Sequence, residues 1–262
     1  MTEAAGNLRV SLAAGRLDVV IDRPQARNAL SRATLEDIAA VFTRLAGQPE
    51  IKVAVLTGAG ERAFAAGGDL KELDGLRTAE AAAGLFDLGQ RATDAVRGFP
   101  APVVAALNGV ALGGGAELAL ACDFRVAGPT ARIGFIQAQL ALTSGFGGGL
   151  DLIEALGPRR ALLHMLRADA LGPADALARG LVDAVAASDE TLAAAVDRFV
   201  APILARPAAL VRDLKAFMLT QRAGAGAGGA AGRTRERANF IRAWTDEAHW
   251  AATAKLLVRK EN

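Results

Sequence analysis

The sequence predicts an α/β fold, on two observations. Apolar runs of strand length alternate with segments of helical periodicity, and glycine-rich turns stand at the junctions between them. The segments LRVSLAAG and RLDVVIDRP predict a hairpin, with Leu17, Val19 and Ile21 at every second position and a stop at Pro24. Ser31 or Thr34 is placed to cap a helix through TLEDIAAVFTRLAGQ, where Leu35, Ile38, Val41, Phe42 and Leu45 recur at helical spacing. IKVAVLTGAG is apolar throughout and ends in glycine, the pattern of a strand covered on both faces. Strand, helix, strand in that order predicts a right-handed crossover.

A second cycle follows: a helical segment LFDLGQRATDAVRGF, a break at Pro100 and Pro102, the strand VVAALNG, and a helix opening inside GGGAELALACD. A third runs from FRVAG and ARIGF through GFGGGLDLIEALG into RRALLHMLRA, and then LGPADALARGLVDAV, where Gly172-Pro173 starts a helix and Gly180 ends it. The tail is helical over DETLAAAVDRFVAPILAR and again over RTRERANFIRAWTDEAHWAATAKLLVRKEN. Between them AGAGAGGAAG, at 223–232, reads as a glycine-rich linker, because each glycine costs a helix about 1 kcal/mol. Residues 1–200 are thus expected to form the core and 201–262 a C-terminal helical region.

Composition narrows the function. With 262 residues, 52% of them hydrophobic, the chain buries a sizeable core without staples. The single cysteine, Cys122, and a start without a secretory pattern predict a cytoplasmic protein. No charge-free apolar stretch is long enough to span a bilayer, since VAALNGVALGGGAELALACDF carries Glu117, so no membrane is expected. The net charge of +2 is dispersed, tyrosine is absent and aromatics make up 5%, which argues against nucleic acid as a partner. His164 and His249 stand apart and outside metal-ligand spacing, so no metal is expected.

The chemistry concentrates in two turns. FAAGGDL follows the strand region KVAVLTGAGERA, NGVALGGGAEL follows APVVAA, and each opens a predicted helix. Helix starts expose unpaired amide N–H groups, and glycine lets a ligand atom come close to them. Two such turns facing each other would grip one carbonyl oxygen and stabilise charge developing on it. TGAGERA imitates a dinucleotide-binding turn but lies outside the first strand-helix unit and lacks the acidic residue at a second strand end. No GxSxG elbow surrounds Ser144.

The motifs IDRPQARNAL, AFAAGGDLKEL, PVVAALNGVALGGGAELALACDFRVA, GFGGGLDL and ALARGLVDAV, in this order, resemble the enoyl-CoA hydratase/isomerase (crotonase) family along nearly the whole chain. The resemblance implies a crotonase-like spiral of repeated sheet-sheet-helix turns, a C-terminal helical trimerisation region and a homotrimer or dimer of trimers. It also implies an acyl-CoA thioester substrate, with coenzyme A part of the substrate and no separate cofactor. Carried over by residue, it places the oxyanion amides at Ala66 and Gly114, with Gly67 and Gly68 in the substrate-binding turn and Asp69 holding that turn. It places Ala26 and Arg27 along the CoA adenine, Phe240 and Arg259 toward the CoA of a neighbouring subunit, and Glu117 as the first catalytic glutamate. The second glutamate of the family's hydratases falls on Gln137, eight residues before Gly145. Glutamine orients a water or carbonyl but carries no titratable proton, which puts two-carboxylate hydration in question. Decarboxylation of a methylmalonyl- or ethylmalonyl-CoA needs no base to form the enolate, and GGGAELALACDFR with SDET resembles family members that do this. A catalytically silent acyl-CoA binder is the third alternative.

Overall fold

A computed structural model describes residues 2–223 and 230–261, apart from the side chains of 221–223, 231 and 256–261. Three strands open the chain, β1 (Thr2–Ala5), β2 (Leu8–Ala13) and β3 (Arg16–Ile21), paired antiparallel as the hairpin pattern predicts. Helix α1 (Arg32–Leu45) starts at Ser31, whose Oγ accepts from the Thr34 amide at 3.2 Å, and it buries Leu35, Ile38, Val41, Phe42 and Leu45. Ser31, not Thr34, is therefore the cap.

From here the chain coils. Strands β4 (Val53–Gly58) and β5 (Ala63–Ala65) precede helices α2 (Leu70–Leu73) and α3 (Ala79–Arg97). Strands β6 (Val103–Leu107) and β7 (Val110–Leu112) precede α4 (Gly114–Ala121). Strands β8 (Phe124–Ala127) and β9 (Arg132–Gly134) precede α5 (Gly148–Leu156). The first strand of each turn joins one seven-stranded sheet, β1-β2-β3-β4-β6-β8 closed by β10 (Ala184–Val185), and the second joins a three-stranded sheet, β5-β7-β9. Within each sheet the successive strands of the coil pair parallel. This is the expected sheet-sheet-helix spiral, and it stacks the equivalent ends of β5 and β7 side by side.

Helices α6 (Pro158–Arg167), α7 (Pro173–Ala178), α8 (Leu192–Leu204), α9 (Ala208–Ala223), α10 (Ala230–Thr245) and α11 (Glu247–Glu261) complete the chain. The long sheet is covered on both faces. Ala54 and Leu56 of β4 face the main core, whereas Val53 and Val55 pack with Val104, Val126 and the α8 residues Ala195, Val196 and Val200. That two-sided burial accounts for the unbroken apolar run of β4.

Two expectations change. The boundary at residue 200 falls inside α8, which is one helix packed on β4, β6 and β8; the chain breaks after Leu204, ahead of Pro207. The core is also not confined to residues 1–200, because α10 packs against α3 and α5 and its Phe240 and Trp244 belong to the main core. Of the linker expected at 223–232, residues 224–229 lie outside the described residues, while Ala223 ends α9 and Ala230 to Gly232 belong to α10.

Candidate active site

A cavity of about 890 Å³ opens where the coil's turns come together. Its walls include Ala66, Gly67, Gly68 and Asp69 from the turn after β5, and Gly113, Gly114 and Glu117 from the turn after β7. The two turns touch backbone to backbone: a Cβ on Gly115 would lie 2.0 Å from the Ala65 carbonyl oxygen, and one on Gly67 would lie 3.2 Å from that of Leu112. Real Cβ atoms do not approach so closely as the first value, so Gly115 is required for the contact.

The first turn does not offer the amide that the sequence pointed to. The Ala66 N–H donates to the Arg27 carbonyl at 3.2 Å, and the Asp69 N–H donates to Leu30 at 3.2 Å, while Leu30 N–H donates to Gly67 at 2.8 Å. Leu30 thus makes a single parallel bridge to this turn, bonding to Gly67 and Asp69 on either side of Gly68. In a parallel bridge the central residue turns its own amide away from the partner that its two neighbours bond. Ala66 and Asp69 are occupied, Gly67 is buried, and the half-exposed Gly68 turns its amide away from Leu30. Ala66 is corrected accordingly: its amide is consumed by Arg27, and Gly68 carries the free donor of this turn. In the second turn Gly114 begins α4, where the first amides have no intrahelical acceptor. Among the described residues neither Gly68 nor Gly114 has a backbone acceptor for its amide.

The Arg27 carbonyl is aimed at Ala66 by a local kink. Arg27 and Asn28 both adopt left-handed backbone, with φ of 52° and 53°, which costs non-glycine residues of order 1 kcal/mol each. The fully buried Asn28 side chain holds the kink by donating to Ala59 O at 3.0 Å and Ala63 O at 2.7 Å. Arg23 locks the other side, pairing with Asp69 at 2.9 Å and donating to Ala29 O at 2.5 Å. Asp69 therefore does hold the turn, through a guanidinium that the sequence did not single out. Ala26 and Arg27 stand at the same cavity with Arg23 and Lys71.

Glu117 sits in the first turn of α4 and is 2% exposed. Its Oε1 accepts from Gln137 Nε2 at 2.5 Å and Gly145 N at 3.1 Å. Its Oε2 accepts from Ser144 Oγ at 2.8 Å, Phe146 N at 2.6 Å and Gly148 N at 3.0 Å. Gly148 is the first residue of α5, so that helix also points its positive end at the carboxylate. The loop is pinned by Thr93, which donates to Phe146 O at 2.7 Å. Phe146 itself is wedged between two helices that have no side chain there: a Cβ on Gly89 or Gly114 would lie 1.9 Å or 2.6 Å from its ring. Gly114 thus serves the packing of Phe146 as well as the turn.

Gln137 donates to Glu117 directly, and it lies on the short 3₁₀ turn Gln137–Leu140. With Nε2 given to Glu117, its Oε1 is buried without a hydrogen-bond partner among the described residues. The amide orientation follows from the donors and acceptors around it.

Phe240 is placed differently from the expectation. It is 3% exposed and stacks within its own chain, 5.7 Å from the Phe86 ring and 5.2 Å from Trp244, over Gly145. Because α10 folds back on α3, this ring lines the cavity of its own chain beside the Glu117 loop. Arg259 lies in α11, and its side chain is outside the described residues. Sequence reading missed Ser144 as a partner of Glu117, and it missed Glu236 on α10. The Glu236 carboxyl accepts from Gly149 N at 3.1 Å and is pushed up to about 7, chiefly by burial, with the charges of Glu117 and Asp151 adding to it and the Ser144 and Gly149 hydrogen bonds opposing it. Among the described residues no cluster of His, Cys, Asp or Glu could hold a metal ion, and no helix is long and apolar enough to cross a membrane.

The chain is similar to several known proteins. Crotonyl-CoA hydratase of Syntrophomonas wolfei is 38% identical over 172 residues, covering 66% of each chain. (E)-benzylidenesuccinyl-CoA hydratase of Thauera aromatica is 36% identical over 167 residues, covering 64% of each. The matched region thus spans just under two thirds of those relatives. A crystal structure of an enoyl-CoA hydratase from Mycobacterium avium subsp. paratuberculosis superposes with a TM-score of 0.83 at 29% identity, over 97% of this chain and 100% of that one. The family model described as Enoyl-CoA hydratase/isomerase matches residues 13–247, and the chain belongs to that family.

Proposed function

We propose that this chain processes acyl-CoA thioesters by stabilising an enolate on the amides of Gly68 and Gly114, with Glu117 as its one proton-moving carboxylate. The observation that carries this reading is the convergence of the two free amides with Glu117 and Gln137 on one cavity. The Gly68 and Gly114 N–H groups would donate to the thioester oxygen and bind it more strongly as it becomes an oxyanion. On a 2-enoyl thioester, water would give its proton to Glu117 while its oxygen bonds to the β-carbon and the π electrons move onto the thioester oxygen. The enolate would then take that proton back from Glu117 at the α-carbon. Gln137 would place the water through its free Oε1, after its Nε2 yields the Glu117 oxygen. It is the donor that can move, because it is half-buried on a short turn, whereas the other four belong to the buried stretch Ser144–Gly148.

Decarboxylation of an alkylmalonyl-CoA is supported by a different observation: both oxygens of Glu117 are already occupied by five donors. Loss of CO₂ leaves the same enolate and needs no base. The test is an assay of both reactions on purified protein. Slow hydration of crotonyl-CoA without CO₂ release from methylmalonyl- or ethylmalonyl-CoA supports the first reading, and CO₂ release with negligible hydration supports the second. Hydration as fast as in two-carboxylate relatives would contradict a single-carboxylate site. Binding of acyl-CoA without either reaction identifies a silent binder, and no binding overturns the proposal. A homotrimer or dimer of trimers is proposed as well, supported by Leu162, Leu163 and Leu166 of α6 and Phe217 of α9, each more than half exposed on one chain. Light scattering that returns a monomer would remove it.

A further inference from the structure

Behind Glu117, away from the cavity, lies a second carboxyl that the reaction above does not use. Glu236 is 9% exposed, and its Oε2 is buried without a hydrogen-bond partner among the described residues. Its Oε1 shares the Gly149 amide with the Ser144 hydroxyl: that N–H lies 3.1 Å from Glu236 Oε1 and 2.7 Å from Ser144 Oγ. Ser144 Oγ in turn donates to Glu117 Oε2 at 2.8 Å. The hydroxyl has one proton and stands between two carboxyls that can both accept it.

We propose that Glu236 is a positioning residue for Glu117, acting through the Ser144 hydroxyl. This rests on Glu117 being the proton-moving group. With Glu236 neutral, the hydroxyl points to Glu117 and completes its five donors. With Glu236 ionised, its oxygen competes for the same proton. Glu117 then loses a donor on Oε2 and gains a like charge behind it, and both changes make it take a proton more readily. No bond to carbon changes in this step; one hydroxyl proton is redirected.

The groups facing Glu236 leave it free to switch near neutral pH. Glu117 on α4 and Asp151 on α5 oppose its ionisation, and Arg97 on α3 favours it. Arg97 is already committed to Asp151, at 2.9 and 2.6 Å, and to Asp94. Arg233, one turn back on α10, pairs with Asp94 at 3.6 Å. Burial together with the two carboxylates holds the Glu236 carboxyl at about 7.

The test combines kinetics with a readout that needs no turnover. In the full-length protein, kcat on the best acyl-CoA substrate should rise about three- to tenfold through a step near neutral pH, with KM unchanged across it. Glu236→Gln, nearly identical in shape, and Ser144→Ala should each remove the step. Separately, ¹³C-carboxyl NMR of glutamate-labelled protein, assigned with Glu117→Gln and Glu236→Gln, should show the Glu117 resonance moving as Glu236 titrates in the parent chain, and not in Ser144→Ala. A step that persists in Glu236→Gln, or a Glu117 resonance indifferent to Glu236, overturns the inference. If the NMR coupling is present but no acyl-CoA turns over, the proposed reaction falls and the coupling stands.

Discussion

The two glycine turns look alike in sequence and work differently. The turn after β7 runs straight into α4, so the Gly114 amide is left over by helix geometry alone. The turn after β5 is bridged to Leu30, and there Arg27 and Leu30 take the Ala66 and Asp69 amides while that of Gly68 keeps no backbone acceptor among the described residues. A helix start leaves its first donors free by geometry alone, whereas a bridged turn leaves only those its partners do not take. The same glycine-rich spelling therefore marks both turns without saying which amide the bridged one leaves unpaired.

This contrast can be broken by substitution. The largest effect is expected at the group both turns serve: Glu117→Gln should lower kcat by about 10²–10⁴-fold, with KM little changed, measured by steady-state kinetics. Removing the Gly68 donor comes next. Gly68→Pro should cost about 10²–10³-fold in kcat, some 3–4 kcal/mol of transition-state stabilisation. Gly68→Ala keeps the amide, and its Cβ meets only the Leu73 methyl, at 2.8 Å, so it should lose far less. Equal losses in the two variants would assign the effect to shape and return the question to Ala66.

The helix-start side has its own signature in stability. Glu236 is raised in the folded chain from 4.5 to about 7, so between these values the folded state holds a proton that the unfolded state has lost. Stability should therefore fall as pH rises through that window, by about 3 kcal/mol at most, because one unit of pKa corresponds to about 1.4 kcal/mol. Glu236→Gln should flatten this part of the curve in denaturant titrations at several pH values; an unchanged slope would place the pH dependence elsewhere. A smaller gain is expected from Gln137→Glu. A carboxyl within 2.5 Å of a Glu117 oxygen cannot ionise independently, so one of the pair stays protonated and can act as the acid. Crotonyl-CoA hydration should rise about tenfold or more.

Much of this was legible in the sequence, for identifiable reasons. The β4 run, the α1 periodicity and the strand-glycine-helix junctions are local patterns, whereas Gly114, Glu117 and Gln137, which line the cavity, came from the family resemblance. The identity of the free amide in the first turn was not legible, because it depends on a left-handed kink at Arg27 and Asn28 held by an asparagine bonding to Ala59 and Ala63. Glu236 was equally hidden. It meets Gly149 across 87 residues of chain, and neither residue carries a motif that announces the other. The cavity placement of Phe240 depends on α10 folding back over α3, which periodicity cannot foretell.

The proposed reaction depends on the Gly68 and Gly114 amides gripping the thioester carbonyl. Isotope-edited infrared spectroscopy of bound crotonyl-CoA carrying ¹³C at that carbonyl tests it most directly. The carbonyl band should shift to lower frequency on binding to the parent chain and to Gly68→Ala, and should lose most of that shift in Gly68→Pro. A full shift retained in Gly68→Pro would contradict the account.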